Sequence, residues 1–142
     1  TDIASHAGVT FTGIPIANPT NIIPLAQDYD VVGIDEAQFY SSEIVDVVQL
    51  LASQGKQVFV AGLDQDSRGI PFGSMPTLMA VADHVYKVHA VCVECGENAS
   101  KTQRIVESQE QILVGSTGAY QARCRKHWRP DSIFRNQELQ DD

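Results

Sequence analysis

Apolar positions run in two different rhythms along this chain, and together they mark out a β-α-β unit. Val31-Val32-Gly33-Ile34 is a continuous apolar run, too short for a helix and preceded by the turn-forming Asp28-Tyr29-Asp30. It predicts a strand buried on both faces. From Ser41 to Ser53 the rhythm changes, and Ile44, Val47, Val48 and Leu51 follow i, i+3, i+4, i+7. That spacing gives a helix with one apolar stripe. Ser41 is the expected N-cap, Glu43 suits the positive end of the helix, and Gly55 stands just past its C-terminus. Val58 to Ala61 repeats the buried-strand pattern, so the two strands are expected to be parallel, with a right-handed crossover.

The flanks are less regular. Val9-Thr10-Phe11 and Ile14-Pro15-Ile16 read as strand pieces among loops, and Asn21 to Gln27 as a short helix. Gly62 to Gly73 is a polar loop, punctuated by Gly and Pro, at a strand's carboxyl end, where open α/β sheets bind ligands. Met75 to Asp83 predicts a helix with Pro76 in its first turn, and Val85 to Val91 a returning strand. Beyond Cys95, Thr102 to Val106 and Ile112 to Val114 are short strand-like segments around a hairpin-like loop, and Tyr120 leads into Cys124. The polar tail from Arg129 to Asp142 reads as frayed or weakly helical.

Composition narrows the function. A formal net charge of −8 argues against a nucleic-acid-binding surface, and no apolar stretch is long enough for a membrane helix. No charged-then-apolar stretch resembles a signal peptide. The chain opens at Thr1, not Met, and Thr1 to Pro19 reads as the middle of a longer protein, so a longer parent is expected.

All three cysteines fall in two matching pairs, Cys92-x-x-Cys95 and Cys124-x-x-His127. This Cys₃His set predicts a tetrahedral zinc site. Four protein ligands leave no open position, so the role is structural. Thiols kept for a metal fit a reducing cytoplasm. Three unrelated buried thiols, or a set with His89 in place of His127, are the competing readings; the duplicated spacing favours the Cys92, Cys95, Cys124 and His127 set over both. Val31 to Ile34 runs into Asp35-Glu36, the Walker-B form, in which a strand brings a carboxylate to bound Mg²⁺ and phosphates. A chance acidic pair at a strand exit would look the same. No G-x-x-x-x-G-K-[ST] loop accompanies it, since the only Gly-Lys is Gly55-Lys56 followed by Gln57. A phosphate cradle is therefore expected from residues preceding Thr1.

In order along the chain stand Asp35-Glu36-Ala37-Gln38-Phe39-Tyr40, Ala61-Gly62-Leu63-Asp64, Pro71-Phe72-Gly73, Ala90-Val91-Cys92-x-x-Cys95, Thr102-Gln103-Arg104, and Tyr120 with Cys124-x-x-His127. That succession resembles the thymidine kinase family of the zinc-containing cellular and bacterial type, from about Ser5-His6 to His127. The resemblance implies an α/β fold: a P-loop NTPase-like parallel sheet with a small zinc-bearing β-rich lobe and a lasso loop. The expected layout is a partial nucleotide-binding domain over 1–89, a zinc lobe over 90–128 and a tail over 129–142. The implied activity is transfer of the γ-phosphoryl group of ATP, with Mg²⁺, to the 5′-hydroxyl of thymidine. Glu36 matches the general base and Asp35 the Mg²⁺-holding carboxylate, with Ala37 and Gln38 completing that segment. Phe39, Leu63 and Phe72 match the walls of the thymine pocket. Gln111, Ile112, Leu113, Val114 and Gly115 match the lasso that reads the base edge; Tyr120 packs on it, and Arg104 and Thr102 support it. A cytoplasmic homotetramer is also implied.

Two departures stand out. Ser67 occupies a position where family members commonly carry an aromatic residue, and the stretch between Arg104 and Ile112 is short. A helicase-like P-loop ATPase and a zinc-ribbon binding module on an inactive scaffold are the alternatives. The acidic balance weighs against the first, and residues preceding Thr1 would discriminate the second.

Overall fold

Val31–Ile34 and Gln57–Val60 do form parallel strands, paired in the register Val31↔Gln57 through Ile34↔Val60. The computed structural model describes residues 2–4, 8–105 and 118–130. It contains two compact units, residues 1–62 and 63–142.

The first unit opens with β1 (Asp2–Ala4) and β2 (Thr10–Thr12), an antiparallel pair. Ile14 to Ile16, expected as a strand piece, takes no regular structure. A 3₁₀ turn over Pro19–Asn21 leads into α1 (Ile22–Ala26). The turn is capped by Asn18, whose Oδ1 accepts from the Thr20 backbone N–H at 3.0 Å. Then follow β3 (Val31–Ile34), α2 (Glu43–Ser53) and β4 (Gln57–Val60). The apolar stripe of α2 behaves as its spacing requires: Ile44, Val47, Val48 and Leu51 are all buried. Burial of each such side chain is worth about 1.5–3 kcal/mol. The helix packs against β4, α1 and the Pro19–Asn21 turn.

Two expectations for this unit need correction. Ser41 is not the N-cap: α2 begins one residue later, behind Ser42, whose side chain makes no capping bond. Ser41 instead gives its carbonyl to the Ile44 N–H at 3.1 Å and its hydroxyl to Glu43 Oε2 at 3.4 Å. Nor is either strand buried on both faces: β4 alternates exposed and half-buried residues, with Phe59 exposed. Val31 and Gly33 are exposed and only Ile34 is buried, because β3 has a single ladder neighbour among the described residues.

The helix end follows the sequence closely. Gly55 takes φ +83°, the Gly55 N–H bonds the Ala52 carbonyl at 3.0 Å, and the Lys56 N–H reaches back to the Leu51 carbonyl at 3.2 Å. These two bonds make a Schellman cap. The Lys56 ammonium then donates to the Tyr29 and Gln27 carbonyls at 2.6 and 3.1 Å, tying the helix exit to the approach of β3.

Among its described residues the second unit contains α3 (Met75–Val81), with Pro76 in its first turn, and four short strands. β5 (Ala90–Val91) pairs antiparallel with β6 (Asn98–Ala99), and β7 (Lys101–Arg104) with β8 (Tyr120–Arg123). The strand expected over Val85 to Val91 is reduced to Ala90–Val91. Val85, Tyr86 and Val88 are exposed, and no described residue offers them a ladder. The expected strand at Ile112 to Val114, the loop before it and the tail beyond Pro130 lie outside the described residues.

Candidate functional site

β3 ends in Asp35 and Glu36, both exposed, and the backbone turns sharply there. Glu36 takes the left-handed conformation (φ 53°, ψ 40°), the sole non-glycine residue with positive φ among the described residues. A side chain in that conformation costs about 1–2 kcal/mol. The surroundings hold it. The Glu36 N–H donates to Asp35 Oδ1 at 2.8 Å, and the Ala37 N–H donates to the Ala61 carbonyl at 3.0 Å. The Ala61 N–H returns the bond to the Ile34 carbonyl at 2.8 Å. A 3₁₀ turn over Ala37–Phe39 follows, with Ala37 and Gln38 buried. From that buried position Gln38 Nε2 donates to Glu36 Oε2 at 2.6 Å. The result is a carboxylate fixed at a strand tip, with Phe39 half-exposed beside it. Such a group can accept a proton from a hydroxyl brought within reach.

The loop from Leu63 to Gly73 is built around Asp66. Its buried Oδ1 accepts from the Arg68 N–H at 2.9 Å and the Ile70 N–H at 3.0 Å, and its own N–H bonds the Ile70 carbonyl at 2.9 Å. Gln65 and Pro71 face each other as an antiparallel bridge, and the Phe72 N–H bonds the Asp64 carbonyl at 3.0 Å. Phe72 and Ser67 are buried and Leu63 is half-exposed. An ion pair between Lys87 and Asp64 at 3.0 Å closes the loop's start.

The metal site assembles from two turns. In the first, Cys92 and Cys95 lie in the turn between β5 and β6, where the Cys92 N–H bonds the Glu97 carbonyl and the Gly96 N–H the Cys92 carbonyl, at 2.8 and 2.9 Å. Gly96 supplies the positive φ, +78°, that this turn needs. In the second, His127 N–H and Trp128 N–H both bond the Cys124 carbonyl, at 3.1 and 2.9 Å. The Val93 N–H joins the Ala122 carbonyl at 3.2 Å, and Arg123 pairs with Glu94 at 3.0 Å, so the two turns face one another.

The four donor atoms lie within 4.8 Å of one another. Tetrahedral zinc with Zn–S of about 2.3 Å and Zn–N of about 2.0 Å sets S···S edges near ~3.8 Å and S···N edges near ~3.5 Å. The observed edges are 3.8 Å for Cys95–Cys124, 3.3 Å for Cys124 Sγ to His127 Nδ1 and 3.9 Å for Cys92 Sγ to His127 Nδ1. The set therefore fits zinc, bound through Nδ1 of the imidazole. It uses His127, not His89. Burial works against the Cys92 thiolate, yet backbone N–H groups at Cys124, Glu94 and Cys95 outweigh it and bring this thiol down to about 6. Cys95 is helped by the Glu97 backbone, but desolvation and the neighbouring sulfurs of Cys92 and Cys124 leave it raised. Accumulating thiolates repel, and a divalent cation relieves that repulsion.

Arg104 and Tyr120 are cross-strand partners at the outer end of β7–β8. The guanidinium stands 5.7 Å from the Tyr120 ring centroid, with a 3.5 Å bond to its hydroxyl. Thr102 lies two residues further in, opposite Ala122. Gln111, Ile112, Leu113, Val114 and Gly115 lie outside the described residues.

Sequence reasoning missed a second set of contacts in this unit. Trp128, directly after the last ligand, donates its indole N–H to the Ser67 carbonyl at 3.1 Å. The Lys101 ammonium sits 4.7 Å from the Trp128 ring centroid and donates to Gln65 Oε1 at 2.7 Å. Burial, with a further push from Arg125, lowers the Lys101 pKa. The one available signal was a lone tryptophan placed against a ligand.

A parallel β-α-β unit whose first strand ends in a carboxylate pair, with a Cys₃His cluster fit for zinc further along the chain, defines a mixed α/β protein with a candidate metal knuckle. The thymidine kinase family model matches residues 1–128, and the chain belongs to that family. It is 49% identical over 131 residues to a thymidine kinase of Coprothermobacter proteolyticus, covering 88% of this chain and 66% of that protein. It is 47% identical over 125 residues to a thymidine kinase of Bacteroides fragilis, covering 88% of this chain and 63% of that one. The chain thus spans a little under two thirds of the length of these relatives.

Proposed function

We propose that the parent protein is a thymidine kinase, transferring the γ-phosphoryl group of ATP to the 5′-hydroxyl of thymidine to give dTMP for DNA precursor synthesis. Identity near one half with two thymidine kinases supports this reading. The observation that carries it is the strand-tip Glu36, whose carboxylate is held by a buried glutamine.

In this reading Glu36 accepts the 5′-hydroxyl proton as the oxygen forms its bond to the γ-phosphorus. The bond from that phosphorus to the β,γ-bridging oxygen breaks, and ADP leaves with the electron pair. Phosphoryl transfer demands positioning and charge neutralisation more than covalent chemistry. Asp35 is the residue that would hold Mg²⁺ with ATP, and that ion would neutralise charge on the phosphates. Ala37 and Gln38 keep Asp35 and Glu36 oriented. Phe39, Leu63, Ser67 and Phe72 line the nucleoside pocket, with Ser67 leaving a smaller wall than an aromatic side chain would. Residues 111–115 read the base edge, anchored by Arg104, Thr102 and Tyr120. Zinc on Cys92, Cys95, Cys124 and His127 is structural.

The wider layout belongs to the same proposal: an α/β nucleotide-binding domain to residue 89, a zinc lobe over 90–128, and a tail over 129–142. A P-loop from a segment preceding Thr1 would complete the parallel sheet and cradle the phosphates. The assembly is a cytoplasmic homotetramer without nucleic-acid or membrane partners. None of the described helices is long and apolar enough to cross a membrane.

The test is a nucleoside panel with ATP and Mg²⁺ on the full-length protein and its Glu36→Gln variant. Thymidine should be the favoured acceptor, and the variant should lose about 10²–10⁴-fold in kcat while still binding ATP. Near-normal turnover by the variant would remove Glu36 from the base role. No phosphorylation of any nucleoside would end the proposal.

A further inference from the structure

The contacts around Trp128 join the metal knuckle to a loop that none of the four ligands touches in sequence. Its backbone N–H is bound to the carbonyl of Cys124, itself a ligand, so the ring's starting point is set by the knuckle turn. The ring then meets the Leu63–Gly73 loop in three ways. Its indole N–H bonds the Ser67 carbonyl at 3.1 Å. Its benzo edge lies over Gly69, where a Cβ would come within 2.9 Å of the ring carbon Cη2. Its face carries the Lys101 ammonium, which in turn bonds Gln65. Gln65, Ser67 and Gly69 span the same turn that Asp66 organises from within, through Arg68 and Ile70. Gly69 has φ +78°, so a side chain at this position is excluded both by the backbone and by the ring.

We propose that Trp128 is a positioning residue: it transmits the order of the Cys₃His site to the Leu63–Gly73 loop and thereby fixes Ser67 and Phe72 for the nucleoside. The coupling itself rests only on contacts within residues 63–130; its effect on substrate rests on the thymidine kinase reading. The physical argument is one of rigidity. A loop held by its own turn bonds opens locally at little cost, whereas a loop also bonded to a metal-stapled indole must break that contact to open. A nucleoside wall that is already ordered loses less entropy on binding. Without zinc the knuckle turn frays, Trp128 loses its anchor, and the loop relaxes with it. The metal then governs affinity for the nucleoside at a distance from the phosphates.

The experiment uses full-length protein, wild type against Trp128→Phe and Trp128→Ala, each with its zinc content measured. Steady-state KM values are compared for thymidine and for ATP. Amide hydrogen exchange is followed at Asp66, Arg68, Gly69 and Ile70, before and after zinc chelation. Loss of one hydrogen bond and the ring contact is worth about a tenfold change. Trp128→Ala should therefore raise KM for thymidine about tenfold with KM for ATP within about twofold, and speed exchange at those four amides by a similar factor, with zinc retained. Trp128→Phe keeps the ring but not the indole N–H, and should fall between. Chelation should speed exchange of the loop in wild type and add little in Trp128→Ala.

Unchanged loop exchange in a zinc-replete Trp128→Ala variant would overturn the proposal. So would loss of zinc from both variants, since Trp128 would then serve the metal site and not the loop. An equal rise in both KM values would also overturn it. If the wild type phosphorylates no nucleoside, the kinase reading fails, and the exchange measurements alone still decide whether the coupling exists.

Discussion

The strand tip at Asp35–Gln38 and the knuckle around Cys92–Trp128 hold their side chains by opposite means. At the strand tip four consecutive residues do the work. One strained peptide at Glu36, one turn and one buried amide fix the carboxylate, with the Ala37–Ala61 bond as the link to the neighbouring strand. In the second unit each ligand pair has its own local turn, but the parts that meet come from Gln65 to Trp128, so no single short segment fixes them all. The lesson is that a contiguous device survives as long as its strand does, while a dispersed one needs a clamp. In the proposed reading the Cys₃His set is that clamp.

The comparison breaks most sharply at Cys95. Cys95→Ala removes one of the four proposed zinc ligands, and zinc should be lost, because an incomplete tetrahedral set forfeits much of a binding energy of roughly 10 kcal/mol or more. Exchange protection should collapse over β5 to β8 and at the Leu63–Gly73 loop, while α2 keeps its protection. Equal loss in both units would mean that they depend on the same clamp. Zinc analysis with amide exchange checks this.

A smaller effect sharpens the other side. Gln38→Leu removes the donor to the Glu36 carboxylate, a bond to a charged group worth about 1.5–3 kcal/mol. In full-length protein kcat should fall about tenfold or more, with zinc content untouched and KM for thymidine little changed. A full-speed Gln38→Leu enzyme would show that the strained backbone alone suffices to aim Glu36. The smallest effect is expected at the helix exit. Gly55→Ala forces a Cβ into φ +83° and should cost about 1–2 kcal/mol, read as a lowered unfolding midpoint without change in metal content.

What could be read from the sequence follows the same division. The β3-α2-β4 unit was legible because each element writes its own period, and Ile44, Val47, Val48 and Leu51 are buried as that period demands. The Cys₃His set was legible because paired spacing encodes a turn. Burial of β3 was over-read: an apolar run specifies a strand, but not how many neighbours cover it, and Val31 and Phe59 stay exposed. The same limit shortened the expected Val85 to Val91 strand. Ser41 competes for the cap with Ser42 one residue on, and composition cannot separate adjacent serines. Gln38 was noted only as part of a motif, since an amide reaching back two residues to Glu36 requires the left-handed turn to be known first. Beyond the lone tryptophan beside a ligand, Trp128, Lys101 and Gln65 left no pattern, because their contacts join residues far apart in the chain and repeat nothing.

The chain contains one tryptophan, Trp128, and it stands where an ammonium covers its face and a carbonyl accepts its indole N–H. This chain therefore carries an intrinsic optical probe where the Cys₃His turn meets the loop. Its emission should shift as the knuckle is emptied or filled, so occupancy of the site can be followed in solution with no added label.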